Sequence, residues 1–381
     1  MKSIEPQAME ALISLSNLYG SQTDYVIAGG GNTSFKNDRV LAVKGSGQAL
    51  ATIRSEGFVK MDRAALAALW LKDFSGTPDQ REKQVLECLL SARLSGEENK
   101  RPSVETLLHD LLPFAYVVHT HPTLVNALTC GREGRAAFDR LFAGEAVWIP
   151  WVDPGYVLAK AVKEALEAFQ SVHGFVPSII FMQNHGIVVA GETPSAIDAA
   201  YHRIFLVLST LLKGKADLEP RPVDAAGEAR FLEVLVPLAQ QALGTESVFS
   251  VRATGTAILD LASGDGAFAA VGSAFTPDHI VYMGVSPIRV DDERGLPQAF
   301  DGFSARYGRA PRVVLAKGLG AFCLGTSEKA ADQAYRLFLD AVKIAVASTA
   351  FGGPLFMTGA AIDFIRNWEV EAFRSKVSAG K

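Results

Sequence analysis

The segment Phe114-Ala-Tyr-Val-Val-His-Thr-His-Pro122 combines an apolar strand pattern with two histidines one residue apart, and it is the most informative part of the sequence. Alternate side chains of a β-strand point to the same face, so His119 and His121 project together, roughly 7 Å apart at Cα, while Thr120 points the other way. Two imidazoles placed in this way can bind one metal ion. The alternative is a pair of structural histidines at a strand end.

A third histidine, His185, follows another apolar run, Ser178-Ile-Ile-Phe-Met182, and is itself followed by Gly186 and the apolar residues 187–190. We expect His185 to lie at a kink between two strands, where Gly186 provides backbone freedom. Three histidines from two separate strands would leave the fourth position on zinc open. An open position is typical of a catalytic zinc site rather than a structural one.

Composition limits the class of protein. The chain has 381 residues, 49% hydrophobic and 20% charged, which is typical of a soluble globular protein with more than one domain. Its net charge of −4 argues against a nucleic-acid partner. The sequence contains neither a long apolar run nor a signal-peptide core, so we expect no membrane segment and a cytoplasmic location. Cys88, Cys130 and Cys323 are too widely spaced to predict a disulfide framework or a cysteine zinc site.

Helical and strand patterns alternate over residues 1–212, which predicts an α/β domain. Residues 213–228 are polar, contain two prolines and lack periodicity, so they are interpreted as a linker. Residues 229–381 form a second expected unit. The predicted elements of the first domain are helices at 7–18, 63–71, 81–94, 103–112, 158–172 and 194–212, a strand ending in the turn Gly29–Ser34, a strand at 40–43, and the histidine strands.

The second unit partly repeats the pattern of the first. Residues 313–330 align with residues 179–196 at an offset of 134, which places Gly320 over Gly186 and Leu319 over His185. We interpret the second unit as a degenerate partial repeat without metal ligands. Two strand–turn–helix segments that are alike by chance are the alternative.

Five motifs together resemble the class II aldolase/adducin family over residues 10–212. In order along the chain they are Gly31-Asn-Thr-Ser34, Lys44-Gly-Ser-Gly47, Pro102-Ser-Val-Glu105, His119-Thr-His121 and Asn184-His-Gly186. The resemblance implies an α/β fold with a central, mainly antiparallel sheet flanked by helices, plus a smaller degenerate α/β unit at the C-terminus.

Residues 274–282 and 351–357 are similar to the aldolase portion of bifunctional rhamnulose-phosphate aldolase/short-chain dehydrogenase proteins. No Gly-x-Gly-x-x-Gly motif follows a predicted strand, so no nicotinamide site is expected in this sequence.

The resemblance assigns roles to the motif residues. It implies that His119, His121 and His185 bind Zn²⁺, or alternatively Mn²⁺, Co²⁺ or Fe²⁺. Glu105 corresponds to the general acid/base, whose pKa apolar surroundings and displacement by the substrate can raise toward neutrality. His109, four residues later, could orient Glu105, but packing is the favoured interpretation.

The resemblance also implies that a substrate phosphate contacts two turns and one helix N-terminus, through Gly31, Asn32, Ser46, Gly47 and Ser103. Ser103 is the expected N-cap of its helix. The family often has a second serine where this chain has Val104, so one hydroxyl is missing.

Two further residues are weaker candidates. A tyrosine from a neighbouring subunit often assists the leaving hydroxyl in the family, and Tyr156 is the candidate here. His279 follows Asp278 and is a possible addition to the site, although a structural role is favoured because such pairs commonly satisfy each other's hydrogen bonds.

The function implied by the resemblance is that of a class II, metal-dependent aldehyde-lyase. It would cleave a ketose 1-phosphate of the rhamnulose or fuculose type to dihydroxyacetone phosphate and an aldehyde through a metal-stabilised enediolate. The expected partner is a phosphorylated sugar, and the expected assembly is a homo-oligomer, either a tetramer or a dimer. A sugar-phosphate epimerase or dehydratase on the same site, or a non-catalytic adducin-like assembly module, are the alternatives.

Overall fold

The apolar runs beside the histidines form strands of one sheet in the computed structural model, which describes residues 4–368. Two compact units divide this part of the chain. The first runs to Thr129 and continues over Gly134–Leu211, whereas the second comprises Cys130–Glu133 and Leu212–Asn367. Among residues 4–368, no helix is both long and apolar enough to cross a membrane.

The described part of the first unit contains a seven-stranded sheet in the order β3-β2-β1-β4-β7-β6-β5. Neighbouring strands are antiparallel except β5 and β6, which are parallel. The expected α/β fold with a mainly antiparallel sheet flanked by helices is therefore confirmed. The elements in chain order are α1 (Pro6–Gly20), β1 (Asn32–Lys36), β2 (Val40–Lys44), β3 (Phe58–Asp62), α2 (Arg63–Leu69), α3 (Pro78–Ser91), α4 (Thr106–Leu111), β4 (Tyr116–Thr120), α5 (Thr123–Thr129), α6 (Gly134–Leu141), β5 (Val147–Ile149), α7 (Tyr156–His173), β6 (Ile179–Met182), β7 (Gly186–Gly191) and α8 (Pro194–Ser209).

The glycine-rich turn precedes a strand instead of ending one, which corrects the sequence-based prediction. β1 begins at Asn32, directly after the turn. Gly31 has a φ of 68°, and a Cβ added there would lie 2.8 Å from the His119 carbonyl oxygen. The glycine is therefore needed because the chain enters β1 in a left-handed conformation against β4.

Several helix starts also differ from the prediction, and α3, for example, begins at Pro78 rather than at residue 81. α4 begins at Thr106, not at Ser103, although the Ser103 hydroxyl accepts a hydrogen bond of 3.2 Å from the Glu105 amide. Helix α9 (Ala225–Leu243) begins inside the segment expected to be a linker, because the Asp224 side chain caps it by accepting from the Ala226 amide.

Strand alternation separates the two faces of the first sheet. On one face, Val117 of β4 and Val188 of β7 belong to an apolar core with side chains of α2, α3, α4 and α7. On the other face, the Thr120 hydroxyl lies 2.6 Å from the Tyr201 hydroxyl of α8. Thr120 thus points away from the face that contains His119, as the period of two predicts.

The described part of the second unit has a four-stranded sheet in the order β8-β11-β10-β9. A buried core containing Phe231, Phe300 and Phe322 lies between this sheet and helices α9 and α12. Its other elements in chain order are β8 (Phe249–Ala253), α10 (Thr256–Ala262), α11 (Asp265–Phe268), β9 (Ile288–Val290), α12 (Leu296–Tyr307), β10 (Val313–Ala316), β11 (Gly320–Gly325), α13 (Glu328–Ala347) and α14 (Gly359–Asn367).

The register of the second sheet repeats that of the first. Ile179 pairs with Val189 in the β6–β7 hairpin, and Val313 pairs with Cys323 in the β10–β11 hairpin, with every number 134 higher. β9 lies parallel beside β10 as β5 lies beside β6, and β8 lies antiparallel beside β11 as β4 lies beside β7. We therefore propose that the second unit is a degenerate partial repeat of the first.

Two of the histidines of the first unit are replaced by other residues at the equivalent positions of the second unit. At the same offset Leu319 stands where the first unit has His185, and Arg252, opposite Phe322, stands where His119 lies opposite Val188. The strand framework is thus present without the histidines.

Gly186 is required for a reason other than the expected one. The left-handed residue of the β6–β7 turn is Asn184, with a φ of 52°. At Gly186 an added Cβ would lie 2.4 Å from the Thr120 carbonyl oxygen. Its role is to allow β7 to approach β4 closely beside His121.

We predict that Gly186→Ala lowers the free energy of unfolding by about 1–3 kcal/mol, because the added methyl meets a backbone oxygen that cannot move alone. Gly144→Ala is the matched control, since no heavy atom lies within 4 Å of a Cβ added there. The control should change the value by less than about 0.5 kcal/mol. Urea unfolding measures both, and equal losses would contradict the close-approach explanation.

Candidate metal centre

Three histidine side chains converge at one end of the first sheet. Each of His119, His121 and His185 offers one ring nitrogen, and these three atoms lie within 4.8 Å of one another. The ring centroids are 4.7, 4.9 and 5.2 Å apart. His119 and His185 are buried, whereas His121 is partly exposed. The cluster is therefore accessible from the side of His121.

The protein fixes the ring of His119 in the tautomer that a metal ligand needs. Its Nδ1 lies 3.0 Å from the Ile187 carbonyl oxygen, which can only accept, so Nδ1 carries the proton and Nε2 is bare. The bare Nε2 lies 3.0 Å from Nε2 of His121. A histidine that donates its second N–H to a carbonyl is the usual arrangement around a bound metal. The three imidazoles therefore fit a divalent ion such as zinc.

Backbone hydrogen bonds hold the turn that carries His185. The amide of Gln183 donates to the carbonyl of Ile149 at 2.9 Å, and the amide of Asn184 donates to the carbonyl of Thr129 at 3.2 Å. The turn between β6 and β7 is thus anchored to β5 and to the end of α5, which fixes the position of His185.

Glu105 is a buried carboxylate beside this cluster. Its Oε2 lies 3.6 Å from Nε2 of His119, and its Oε1 lies 3.7 Å from Nε2 of His185. Burial raises the pKa of Glu105, but electrostatic interaction with His119 and His185 and a hydrogen bond from Asn32 outweigh it and lower the pKa to about 2. The rise toward neutrality that was expected on substrate binding stays a prediction, because hydrogen-bond donors and imidazole rings surround the carboxylate in the protein alone.

The side chain of Asn32 contacts two other buried side chains, Glu105 and His109. Its Nδ2 donates to Oε2 of Glu105 at 2.5 Å, and its Oδ1 contacts Nε2 of His109. Contact between Asn32 and a phosphate stays a prediction, and it would require this amide to be released. His109 is fully buried, so the favoured interpretation of plain packing misses two polar contacts, with Asn32 and with Ser34.

The segments expected to bind phosphate lie next to one another. The Ser46 amide donates to the carbonyl of Arg101 at 2.8 Å, and Lys44 Nζ donates to the carbonyl of Gly31 at 3.0 Å. Gly47 beside them has a φ of 85°. Lys44 is buried and brings a positive charge to this end of the sheet, a feature that the sequence-based reasoning missed. The available signal was a lysine at the end of an otherwise apolar strand.

Tyr156 and His279 are the two remaining candidate residues. The Tyr156 ring packs against Trp70 and Phe74, with centroid distances of 6.0 and 5.0 Å, as part of an aromatic cluster. His279, in the second unit, is fully buried, and its Nδ1 lies 2.8 Å from Thr276 Oγ1. Its Nε2 lies 3.4 Å from a carboxylate oxygen of Asp340. A catalytic role for either residue stays a prediction.

The fold and the cluster define a class of α/β proteins in which a mainly antiparallel sheet presents three histidines that could bind a metal, next to a buried carboxylate. The sequence model of the family described as Class II Aldolase and Adducin N-terminal domain matches residues 10–211. Because this match covers more than half of the chain, the protein belongs to that family.

A bacterial protein is similar to this chain over nearly the whole length of the chain. The uncharacterized oxidoreductase YuxG of Bacillus subtilis (strain 168) is 25% identical over 419 aligned positions, which cover 97% of this chain and 58% of YuxG. The chain thus spans little more than half the length of that relative.

Two solved structures are also similar in part. The N-terminal class II aldolase domain of a conserved protein from Thermoplasma acidophilum is 29% identical, with a TM-score of 0.44, and covers 55% of this chain and 94% of its own. The L-fuculose-1-phosphate aldolase from Thermus thermophilus is 15% identical, with a TM-score of 0.34, and covers 53% and 91%.

A buried lysine supports the helix that follows Glu105. Lys36 of β1 is 5% exposed and donates to the carbonyl of His109 at 2.8 Å. Burial lowers the pKa of Lys36 to about 7, with nearby Asp110 acting in the opposite direction. The folded protein therefore releases this proton near neutral pH, whereas the unfolded chain holds it up to about pH 10.5.

The Lys36→Met variant should show a pH-dependent change in stability. The unfolded chain binds more protons than the folded one between the two pKa values, so the stability of the wild type rises with pH in that window. We expect the stability of the variant relative to the wild type to be higher near about pH 6 than near about pH 9.5. Chemical unfolding of both proteins measures this difference, and a pH-independent value would contradict a lowered pKa for Lys36.

Proposed function

We propose that this protein is a zinc-dependent aldolase that cleaves a ketose 1-phosphate of the rhamnulose or fuculose type to dihydroxyacetone phosphate and an aldehyde. One observation carries the proposal. The carboxylate of Glu105 lies 3.6 and 3.7 Å from the ring nitrogens of two of the three converging histidines, His119 and His185. This arrangement supports a proton-transfer role for Glu105 next to a site where a bound metal ion would polarise a carbonyl.

The three histidines and Glu105 have separate tasks. When bound by His119, His121 and His185, a divalent ion supplies Lewis-acid polarisation of a carbonyl oxygen. Glu105 is ionised, so it first acts as a base. It takes the proton that the substrate hydroxyl releases as the carbon–carbon bond breaks, and it then returns this proton to the enediolate carbon. Mn²⁺, Co²⁺ or Fe²⁺ are alternatives to Zn²⁺ at such a site.

The proposed phosphate site is the group of segments beside Glu105. Gly31, Ser46, Gly47 and Ser103 are its proposed contacts, and Asn32 is a further candidate whose side-chain amide would first have to leave Glu105. The ammonium group of Lys44, 3.0 Å from the Gly31 carbonyl oxygen, adds the positive charge that an anion favours. This charge compensates in part for the phosphate contact that is missing because residue 104 is valine and has no hydroxyl group. A cytoplasmic location and a homo-oligomeric assembly stay predictions from the sequence.

Metal content is the first test. After dialysis the protein should retain about one divalent ion per chain, and chelation should abolish cleavage, because three imidazoles and an open position form a catalytic zinc site. His185→Ala should lose the ion, whereas His202→Ala, on the exposed side of α8, should keep it. Mass-spectrometric metal analysis measures both. A metal-free protein that still cleaves substrate would refute the mechanism, and a His119→Ala variant with unaltered metal content and properties would favour an adducin-like module.

Glu105→Gln should reduce kcat by about 10²–10⁴-fold, the usual contribution of a positioned acid/base, while metal content stays unchanged. The assay uses a panel of ketose 1-phosphates, with the products separated and identified. Two carbonyl fragments indicate an aldolase, whereas a product with an intact carbon chain indicates an epimerase or a dehydratase. Full activity of Glu105→Gln would remove Glu105 from the mechanism.

A further inference from the structure

Four buried side chains form a continuous hydrogen-bonded chain that ends on Glu105. The Ser34 hydroxyl lies 2.7 Å from Nδ1 of His109, and Nε2 of His109 contacts Oδ1 of Asn32. Nδ2 of Asn32 then lies 2.5 Å from Oε2 of Glu105. All four residues are less than 10% exposed, so water does not compete for these contacts.

The donor and the acceptor of every hydrogen bond in this series follow from the groups at its two ends. A carboxylate only accepts, so Asn32 must turn its N–H₂ group toward Glu105 and its carbonyl oxygen toward His109. That oxygen in turn requires a hydrogen on Nε2 of His109. Burial keeps His109 neutral by lowering its pKa to about 3, so Nδ1 is bare and accepts from the hydroxyl of Ser34. One tautomer and one amide orientation satisfy all four groups.

Strand β1 supplies the fixed side of this arrangement. Asn32, Ser34 and Lys36 alternate along β1 and share one face, and all three bond to Glu105 or to His109. Asn32 is also the Cα partner of His119 in the β1–β4 ladder. The residue that contacts the carboxylate and the first metal-binding candidate are therefore held on neighbouring strands of the same sheet face.

We propose that His109 is a positioning residue for Glu105, which acts through Asn32 to hold Oε2 and leaves Oε1 as the oxygen that exchanges protons with the substrate. The inference rests on the proposed function in one respect, that Glu105 transfers the proton. It also changes the role of Asn32. Because both ends of its amide are engaged, Asn32 contributes to the orientation of the carboxylate rather than to phosphate affinity.

Kinetics separate the two roles of Asn32. If Asn32 orients Glu105, then Asn32→Ala and His109→Phe should each reduce kcat by about 10–100-fold, the effect of a carboxylate displaced by a fraction of an ångström to 1 Å. KM for the phosphorylated ketose should change by less than about threefold, since ground-state binding is retained. His109→Gln, which can still donate to Asn32, should recover part of the loss. A rise in KM with unchanged kcat for Asn32→Ala would overturn the inference in favour of phosphate binding.

The double variant of Asn32→Ala and His109→Phe tests whether His109 acts on Glu105 through Asn32. His109→Phe should add little to the loss in Asn32→Ala, because His109 has no effect on Glu105 once Asn32 is absent. Leu108→Ala, in the apolar core beside His109, is the matched structural control. It should lower stability and leave kcat per folded molecule unchanged. Additive losses, or a loss in the control equal to that in His109→Phe, would overturn the inference.

A readout independent of activity is the tautomer of His109 in the purified protein. Nitrogen-15 NMR should show hydrogen on Nε2 and none on Nδ1, and Asn32→Ala should shift the Nε2 signal. Hydrogen on Nδ1 would overturn the inference. The outcomes also separate it from the proposed function. Inactive Glu105→Gln with fully active His109→Phe refutes the positioning role alone, whereas active Glu105→Gln refutes the proposed function.

Discussion

The antiparallel pairing of β4 with its two neighbours is the constraint on which the site depends. It places His119 opposite Asn32 on one side and opposite Val188 on the other. The carbonyl of Ile187, on β7, orients the His119 ring. A one-residue slip in either pairing would turn His119 to the opposite face, so the register of the sheet and the geometry of the histidine cluster are specified together.

Burial of polar groups shapes the surroundings of the cluster. A carboxylate as buried as Glu105 is stable in its ionised form only if donors and positive charge compensate for lost hydration. Interaction with His119 and His185 favours the ionised form, and Asn32 provides a hydrogen bond. Asn32 and His109 must in turn be satisfied, which accounts for the polar face of β1 within an otherwise apolar layer.

The second unit shows that this strand framework does not by itself make a metal site. Its hairpin has the same register as the β6–β7 hairpin, and Gly320, like Gly186, lies where an added Cβ would meet a carbonyl oxygen of the adjacent strand. Yet Leu319 and Arg252 stand at ligand positions. The same strand pairing can therefore form without the histidines that could bind a metal ion.

The α/β fold class and the converging residues could be predicted from the sequence, because strand alternation and the order of five short motifs are local properties. These patterns indicated His119, His121, His185 and Glu105, which the structure brings together.

How these groups are held could not be predicted in this way, because it depends on contacts between distant segments. Asn32, the hydrogen-bond donor to Glu105, lies on β1, and the hydrogen bonds of Asn32 and Ser34 to residues of the α4 region span more than 70 positions of the chain. No local pattern encodes such contacts. The lowered pKa of Glu105, the tautomer of His109 and the buried charge of Lys44 depend on packing between distant segments, because desolvation and hydrogen bonding are set by neighbours in space.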